Sequence, residues 1–313
     1  MAGVLGSGLA GSALAGCSTA EPARTRDAPA GRFPGDPGPG RAYVGATAPL
    51  GVALERTPAF TAARLSMSRR FYRPHQLDVL AADVARDLEA GVLPFVSCKV
   101  PGSWARVVQR PGRAWLDRLL DLLDAAGAPV WLAVHHEPEN DVSARHQPED
   151  WRAMQRHVIA RARRRAPSVT VVPVLMQWTF SPASGRRPED WLIPEADVLG
   201  VDVYNQWRPD GRAPWEEFAA LVGRVRTLVP DLPLVAPEIG CRADPADPLR
   251  AGNWIRTAFE FCLLNDVVAM AYFDAEFDGD ASYRLDAERT AALAAVADRP
   301  EVARLPEATG PAR

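Results

Sequence analysis

The chain has 313 residues, 47% of them apolar, and its 36 Lys and Arg against 39 Asp and Glu give a formal net charge of −3. That is enough apolar sequence for one large core, and the near-balance of charge argues against nucleic-acid binding, which needs a broad basic field. Phosphate-loop and dinucleotide signatures do not occur, so no cofactor is expected.

Residues 1–16 are small and mildly apolar and end Leu14-Ala15-Gly16 before Cys17. This is the pattern of a bacterial lipoprotein cleavage site, with Cys17 as the lipidated residue. No Lys or Arg precedes Arg24, so the positive n-region of a signal peptide is missing. A translation start upstream of Met1 would supply it; the alternative is a disordered Ala/Gly-rich terminus. The apolar run is too short to span a bilayer, which takes about 20 residues. Residues 17–40 are rich in Pro, Gly, Ala and Arg, ending Pro34-Gly-Asp-Pro-Gly-Pro-Gly40, and are expected to form a flexible tether. The residues from 306 on are expected to be a disordered tail. The protein is therefore expected to be exported, either secreted or held at the cell surface by its lipid.

From Arg41 onward, short runs rich in Val, Ile, Leu and aromatics alternate with amphipathic stretches. The runs are 42–46, 66–72, 93–100, 129–136, 170–176, 196–204, 233–238 and 267–273. Between them, Leu77, Leu80, Ala81, Val84 and Leu88, and again Trp115, Leu116, Leu119, Leu122 and Leu123, follow the three- and four-residue spacing of a helix. Gly91 and Gly127 stand where helix C-caps belong. Pro148-Glu-Asp150 opens another helix, and Arg161, Arg163, Arg164 and Arg165 crowd its last turn, where cations favour the helix dipole. The helix of the first unit is the weakest, because it must fit between Pro49 and Phe60 around Pro58. Strand and helix alternation of this count predicts a single α/β domain, a (β/α)8 TIM barrel over residues 41–305.

Two glutamates stand at the ends of apolar runs, Glu137 in Val130-Trp-Leu-Ala-Val-His-His-Glu137 and Glu238 in Leu234-Val-Ala-Pro-Glu238. A carboxylate at the mouth of a buried strand is costly unless something uses or neutralises it. If the sheet closes into a barrel, both face one cleft and form a candidate acid/base pair.

Eight alternating units, a glutamate closing strand four and another closing strand seven together resemble the clan A retaining glycoside hydrolases. His136 directly before Glu137 is similar to family 26, typified by β-mannanases. The resemblance implies that Glu137 is the general acid/base and Glu238 the nucleophile, and that Tyr204, in Gly200-Val-Asp-Val-Tyr204, hydrogen-bonds the nucleophile. It also implies a polysaccharide or oligosaccharide substrate, an endo-acting mechanism and a protein that works as a monomer. Strand eight ends Tyr272-Phe-Asp-Ala-Glu276, where mannanases usually present a tryptophan, which points to a divergent branch.

The chemistry asks for these residue types independently. Glycoside cleavage needs one carboxyl protonated for the leaving oxygen and one ionised to attack the anomeric carbon, with environments that separate their pKa values. His136 is the candidate neighbour that orients substrate or Glu137, while His135 reads as a satisfied core residue. Lys99, Gln177, Trp178, Trp207 and Asp274 follow strand ends and are candidate substrate contacts, with the indoles as platforms for sugar C–H faces. Trp104 reads as loop packing, and Trp115, Trp151 and Trp254 as helix residues facing the core. Asp202 shares a strand face with Tyr204. Glu139 and Asp141 read as solvated or bonded to Arg145. Two other classes are open. A metal-dependent hydrolase is suggested by His135, His136, Glu137 and His146, but strand one has no His-x-His, and no metal is expected. A non-catalytic glycan-binding module on the same barrel would not require a matched carboxyl pair. Cys98, Cys241 and Cys262 match no metal spacing and are expected to be buried thiols.

Overall fold

The computed structural model describes residues 31–276 and 280–306; Cys17, the expected signal segment and the residues from 307 on lie outside them. The strands are β1 (Tyr43–Thr47), β2 (Met67–Tyr72), β3 (Leu93–Cys98), β4 (Val130–Val134), β5 in two segments (Val169–Val171 and Val174–Met176), β6 (Leu199–Asn205), β7 (Leu234–Cys241) and β8 (Val267–Tyr272). All pairings between them are parallel. The ladder runs from the first segment of β5 through β4, β3, β2, β1, β8, β7 and β6 to the second segment of β5.

The two edges of that ladder are one strand, and this closes the barrel. Pro173 has no N–H to donate and interrupts β5. Around it, Val172 N donates to Leu132 O (2.8 Å), Glu137 N to Val174 O (3.0 Å) and Gly200 N to Pro173 O (2.8 Å). The fifth strand thus joins β4 on one side and β6 on the other, and the eight-stranded α/β barrel expected from the sequence is the fold.

The helices are α1 (Pro58–Ala62), α2 (Leu77–Glu89), α3 (Trp104–Val107), α4 (Arg110–Asp124), α5 (Pro148–Arg165), α6 (Phe218–Leu228), α7 (Arg250–Leu264) and α8 (Ala287–Ala297). Pro58 begins α1 instead of breaking it, because the first helical position needs no N–H partner. Gly91 and Gly127, with φ of 71° and 68°, follow α2 and α4 in the left-handed conformation that ends helices cheaply only at glycine. Directly after β5 come three 3-10 turns, Gln177–Phe180, Pro182–Ser184 and Pro188–Asp190. Pro182, Gly185 and Pro188 prevent a continuous helix there.

Both faces of the strands are buried, as a parallel barrel requires. On β2, Met67, Arg69 and Phe71 alternate with Ser68, Arg70 and Tyr72. The second set faces α2: Ser68 Oγ donates to Asp87 (2.6 Å), Arg70 Nη2 to Asp87 (2.8 Å) and Tyr72 Oη to Asp83 (3.0 Å). Arg70 also reaches Val52 O (3.1 Å) and Pro49 O, so the charge buried behind the sheet pins the loop after β1. Met67 belongs to the barrel interior with Tyr43, Leu93, Phe95, Trp131, Val174, Val235 and Ala269. Cys98, Cys241 and Cys262 are buried free thiols.

The end of the Pro/Gly-rich stretch is a correction to the expected tether. Phe33 is buried under the barrel with its ring 6.0 Å from Trp131, and Pro34 O accepts from Trp131 Nε1 (3.0 Å) and Thr170 Oγ1 (2.7 Å). Arg32 binds Asp36 (2.9 Å) and Asp266 (2.6 Å). One aromatic ring is enough to anchor a segment whose composition otherwise reads as unstructured, because the barrel floor offers a ready apolar site.

Candidate active site

The C-terminal end of β4 leaves regular geometry abruptly. His135 (φ 59°) and Glu137 (φ 47°) are both left-handed, a conformation that costs non-glycine residues energy and recurs at functional sites. Simple strand alternation therefore ends at Val134. His135 turns into the wall, buried, with Nε2 2.7 Å from Asp141 Oδ2 and its ring edge-on to Trp104 at 5.2 Å. Burial, followed by the charge of Lys99, pushes it down to about 4, so it is a neutral ring. His136 is half-buried beside Phe71, ring centroids 5.3 Å apart, and burial also keeps it neutral.

The other side of the site is built by β7. Between Val235 and Ile239 this strand holds one more residue than β6 does between Gly200 and Val203. Such a bulge re-aims a side chain, and Pro237 suits it because no N–H is lost from the ladder. Glu238 comes out of it buried, held at both oxygens: Arg69 Nη2 donates to Oε1 (3.2 Å) and Tyr204 Oη to Oε2 (2.9 Å). The Tyr204 ring packs against Phe273 (5.8 Å) and Tyr283 (5.1 Å). A Cβ on Gly240 would come within 2.9 Å of Tyr204 and Tyr283, so glycine is what lets these rings sit against β7.

The two glutamates lie in each other's field. Burial and then Glu238 push Glu137 up to about 8, which keeps it protonated at neutral pH. Burial raises Glu238 as well, but the Arg69 charge and the hydrogen bonds from Tyr204 and Arg69 act against it. The two carboxyls thus stand in different environments, Glu137 raised by burial and by its neighbour and Glu238 held by a donor at each oxygen. Asp202 adds a third buried carboxyl whose oxygens have no hydrogen-bond partner among the described residues. Burial and then Glu238 and Glu137 raise it well above the ordinary aspartate value.

The other sequence candidates spread around this centre. Lys99 lies at the rim, its Nζ 2.6 Å from Asp141 Oδ2. Gln177 is buried at the start of the first 3-10 turn and Trp178 beside it is exposed. Trp207 is tied to its own loop by Trp215 (5.8 Å), and Asp274 accepts from Leu285 N (3.0 Å), so neither joins the carboxyl cluster. Trp104, Trp151 and Trp254 are buried and Trp115 partly so.

Glu139 and Asp141 require correction, since neither bonds Arg145 among the described contacts. The 3-10 turn Pro138–Asn140 folds Glu139 inward, where it accepts from Met176 N (2.9 Å) and Thr179 Oγ1 (2.8 Å), and burial pushes it up to about 7. Asp141 instead links Lys99 and His135.

Sequence reasoning missed Arg69 and Phe71. The signal was present in Arg69-Arg70: consecutive strand residues face opposite sides, and in a barrel both sides are buried, so each arginine needs an acid, one outside and one within.

No protein-family model and no curated protein matches the chain by sequence. Solved structures do match its fold. The catalytic domain of the Bacillus sp. JAMB-750 family 26 endo-β-1,4-mannanase aligns with a TM-score of 0.60 at 13% identity, over 86% of this chain and 89% of that one. The β-mannanase from a symbiotic protist of the termite Reticulitermes speratus, complexed with gluco-manno-oligosaccharide, gives 0.59 at 11% identity, over 88% and 92%. The modular endo-β-1,4-mannanase of Cellulomonas fimi gives 0.59 at 16% identity, over 88% and 74%. In fold the chain resembles family 26 glycoside hydrolases, as its two glutamates and strand count suggested.

Proposed function

We propose that this barrel is a retaining glycoside hydrolase that cuts a mannan-like polysaccharide internally by double displacement, with Glu137 as general acid/base and Glu238 as nucleophile. The reading is supported by the division of environments within one carboxyl pair: Glu137 is pushed up to about 8, and Glu238 is held at both oxygens by Arg69 and Tyr204. A glycan-binding surface has no need of that division. In the first step Glu137 gives its proton to the glycosidic oxygen while a Glu238 oxygen attacks the anomeric carbon; the bond to the leaving sugar breaks and an ester forms. In the second, the Glu137 carboxylate takes a proton from water, the water oxygen attacks the same carbon, and Glu238 leaves as carboxylate. Retention calls for carboxyl groups about 5–5.5 Å apart. His136, Lys99, Gln177 and Trp178 are the proposed sugar contacts, and Phe71 and Phe273 pack edge-on to each other (6.5 Å) beside His136 and Tyr204.

The deciding experiment is a reducing-end screen against plant, fungal and bacterial wall polysaccharides, followed by NMR of the first-formed anomer. Retained configuration is expected. Glu238→Ala should abolish turnover on every substrate, with azide restoring some activity, whereas Glu137→Ala should still form the covalent intermediate from an activated aryl glycoside. Inverted product would overturn the double displacement, and binding without cleavage of any glycan would leave a glycan-binding module as the better account. Export and anchoring through Cys17 belong to the same proposal: Cys17→Ser, expressed from its natural start, should leave the membrane fraction.

A further inference from the structure

The buried carboxyl of Glu139 fills a gap that the turn at Glu137 opens in the sheet. In a parallel ladder, a residue that donates its N–H to a carbonyl of the next strand accepts, through its own carbonyl, from the N–H two residues further along that strand. Glu137 N donates to Val174 O (3.0 Å), so the partner due to Met176 N is Glu137 O. Because Glu137 is left-handed (φ 47°), its carbonyl turns into the following 3-10 turn and accepts from Asn140 N (3.3 Å). Met176 N is met by Glu139 Oε1 at 2.9 Å. A side-chain carboxyl thus takes the place of a backbone acceptor, which a buried N–H at this point of the sheet requires.

The grip on this turn extends beyond one bond. Glu139 Oε1 also accepts from Thr179 Oγ1 (2.8 Å), which in turn takes Arg186 Nη1 (3.1 Å), while Arg186 Nη2 reaches Glu139 O (3.4 Å). The loop after β5 therefore holds the turn after β4 by side chain and backbone together. That loop also carries Gln177 and Trp178, so Glu139 ties the proposed acid to two of the proposed sugar contacts. A neutral acceptor would serve Met176 and Thr179 at a lower desolvation cost, so the carboxyl calls for a further reason. Its Oε2 is buried with no hydrogen-bond partner among the described residues. Its field reaches Glu137 in its own turn and Asp202 on β6, and Arg186 faces it from the loop after β5. On Glu137 its charge acts in the same direction as burial and Glu238, against loss of the proton.

We propose that Glu139 is a positioning residue for the general acid: it completes the β4–β5 ladder past the left-handed turn, fixes the backbone from which Glu137 projects, and sets a second carboxylate beside it. The proposal rests on Glu137 being the acid/base. Two of its readouts need no substrate. In the full chain, NMR-detected amide exchange at Met176 is expected to speed up about tenfold or more in Glu139→Ala, while the amides of Val172 and Gly200, bonded to backbone carbonyls, stay protected. In protein labelled with 13C at glutamate carboxyl carbons, the Glu137 signal is identified by its disappearance in Glu137→Gln. Its midpoint should fall by about half a pH unit in Glu139→Gln, about a threefold change in ionisation constant, because the amide keeps the acceptor and removes the charge. On a cleaved glycan, Glu139→Ala should lower kcat by roughly 10- to 100-fold but spare formation of the covalent intermediate from an activated aryl glycoside, whose departure needs little acid. Glu139→Gln should recover most of the rate with its alkaline limb moved to lower pH. Glu139→Asp, which keeps the charge but is one methylene short of Met176 N, carries the exchange test if Glu139→Ala does not fold. Unchanged Met176 exchange in the folded variant, an unchanged Glu137 midpoint in Glu139→Gln, or equal slowing of both substrates overturns the proposal. Faster exchange and a lowered midpoint in a protein that cleaves no glycan would leave the Glu139 contact standing and remove the glycosidase reading.

Discussion

Tyr204 and Glu238 meet across neighbouring strands, the phenol donating to Oε2 at 2.9 Å, where β6 and β7 pair Tyr204 with Gly240. The bond depends on two local features of β7 at once. The bulge at Pro237 aims Glu238, and the missing side chain of Gly240 leaves room for the ring. Strand register, turn chemistry and the charge state of the carboxyl pair are therefore one structural problem, solved within four residues of β7.

Removing that phenol should be felt at the charged form of Glu238. A hydrogen bond to a charged group contributes about 1.5–3 kcal/mol, so Tyr204→Phe should lower kcat by roughly 10- to 100-fold on a cleaved substrate. The acid limb of the pH–rate profile should move upward, because an ionised Glu238 loses a donor. Steady-state kinetics over pH check this, and an unchanged acid limb would mean that Tyr204 packs beside Glu238 without tuning it.

Asp202 is expected to behave as a neutral group. Its neighbours Glu238 and Glu137, together with burial, hold its proton in place, so Asp202→Asn should keep activity within a few-fold of wild type and leave the pH profile unmoved. Asp202→Leu, which removes both polar atoms from the layer, is the contrasting variant. A large upward or downward shift in the pH optimum of Asp202→Asn would show that Asp202 is charged in the native protein.

How far the sequence reaches can be judged from particular residues. Period and punctuation located every barrel strand, and the apolar runs ending in Glu137 and Glu238 marked the mouth, because burial on both faces leaves a strong signal in parallel strands. What escaped was decided by single side chains or by geometry. Pro173 splits a strand whose apolar run reads as continuous. Arg69 looks like a surface residue until closure of the barrel puts Glu238 opposite it. Glu139 looks solvated until a left-handed Glu137 and the following 3-10 turn fold it under Met176. Phe33 was hidden by the composition of its neighbours, which outweighs one aromatic ring in any average.

Phe33 gives that last point a measurable form. If the ring plugs the barrel floor against Trp131, Phe33→Ala should cost about 3 kcal/mol, at the low end for a buried aromatic because the segment can partly detach. For a domain of this size that corresponds to a fall in Tm of several degrees, read by calorimetry on the full chain. A melting temperature equal to wild type would return residues 31–40 to the status of a free tether.

The raised Glu137 predicts a stability that depends on pH in a defined direction. A carboxyl whose folded pKa of about 8 exceeds the ordinary glutamate value of 4.5 binds more protons in the native state than in the unfolded chain throughout that interval. Native stability therefore falls as pH rises from about 4.5, and the loss is complete once pH exceeds about 8. Glu139, raised to about 7 by burial, adds a loss of the same sign over the lower part of the window. Glu137→Gln cannot ionise, and it also removes a like charge from Glu238 and Asp202. Its Tm should match wild type near pH 4.5 and exceed it increasingly up to about pH 8, by an amount on the order of a few kcal/mol, while activity on unactivated glycosides is lost. Thermal melting of both proteins from pH 4.5 to 9 makes the comparison. A difference that does not grow with pH would mean that Glu137 is already ionised at neutral pH, which would deprive the first chemical step of its acid.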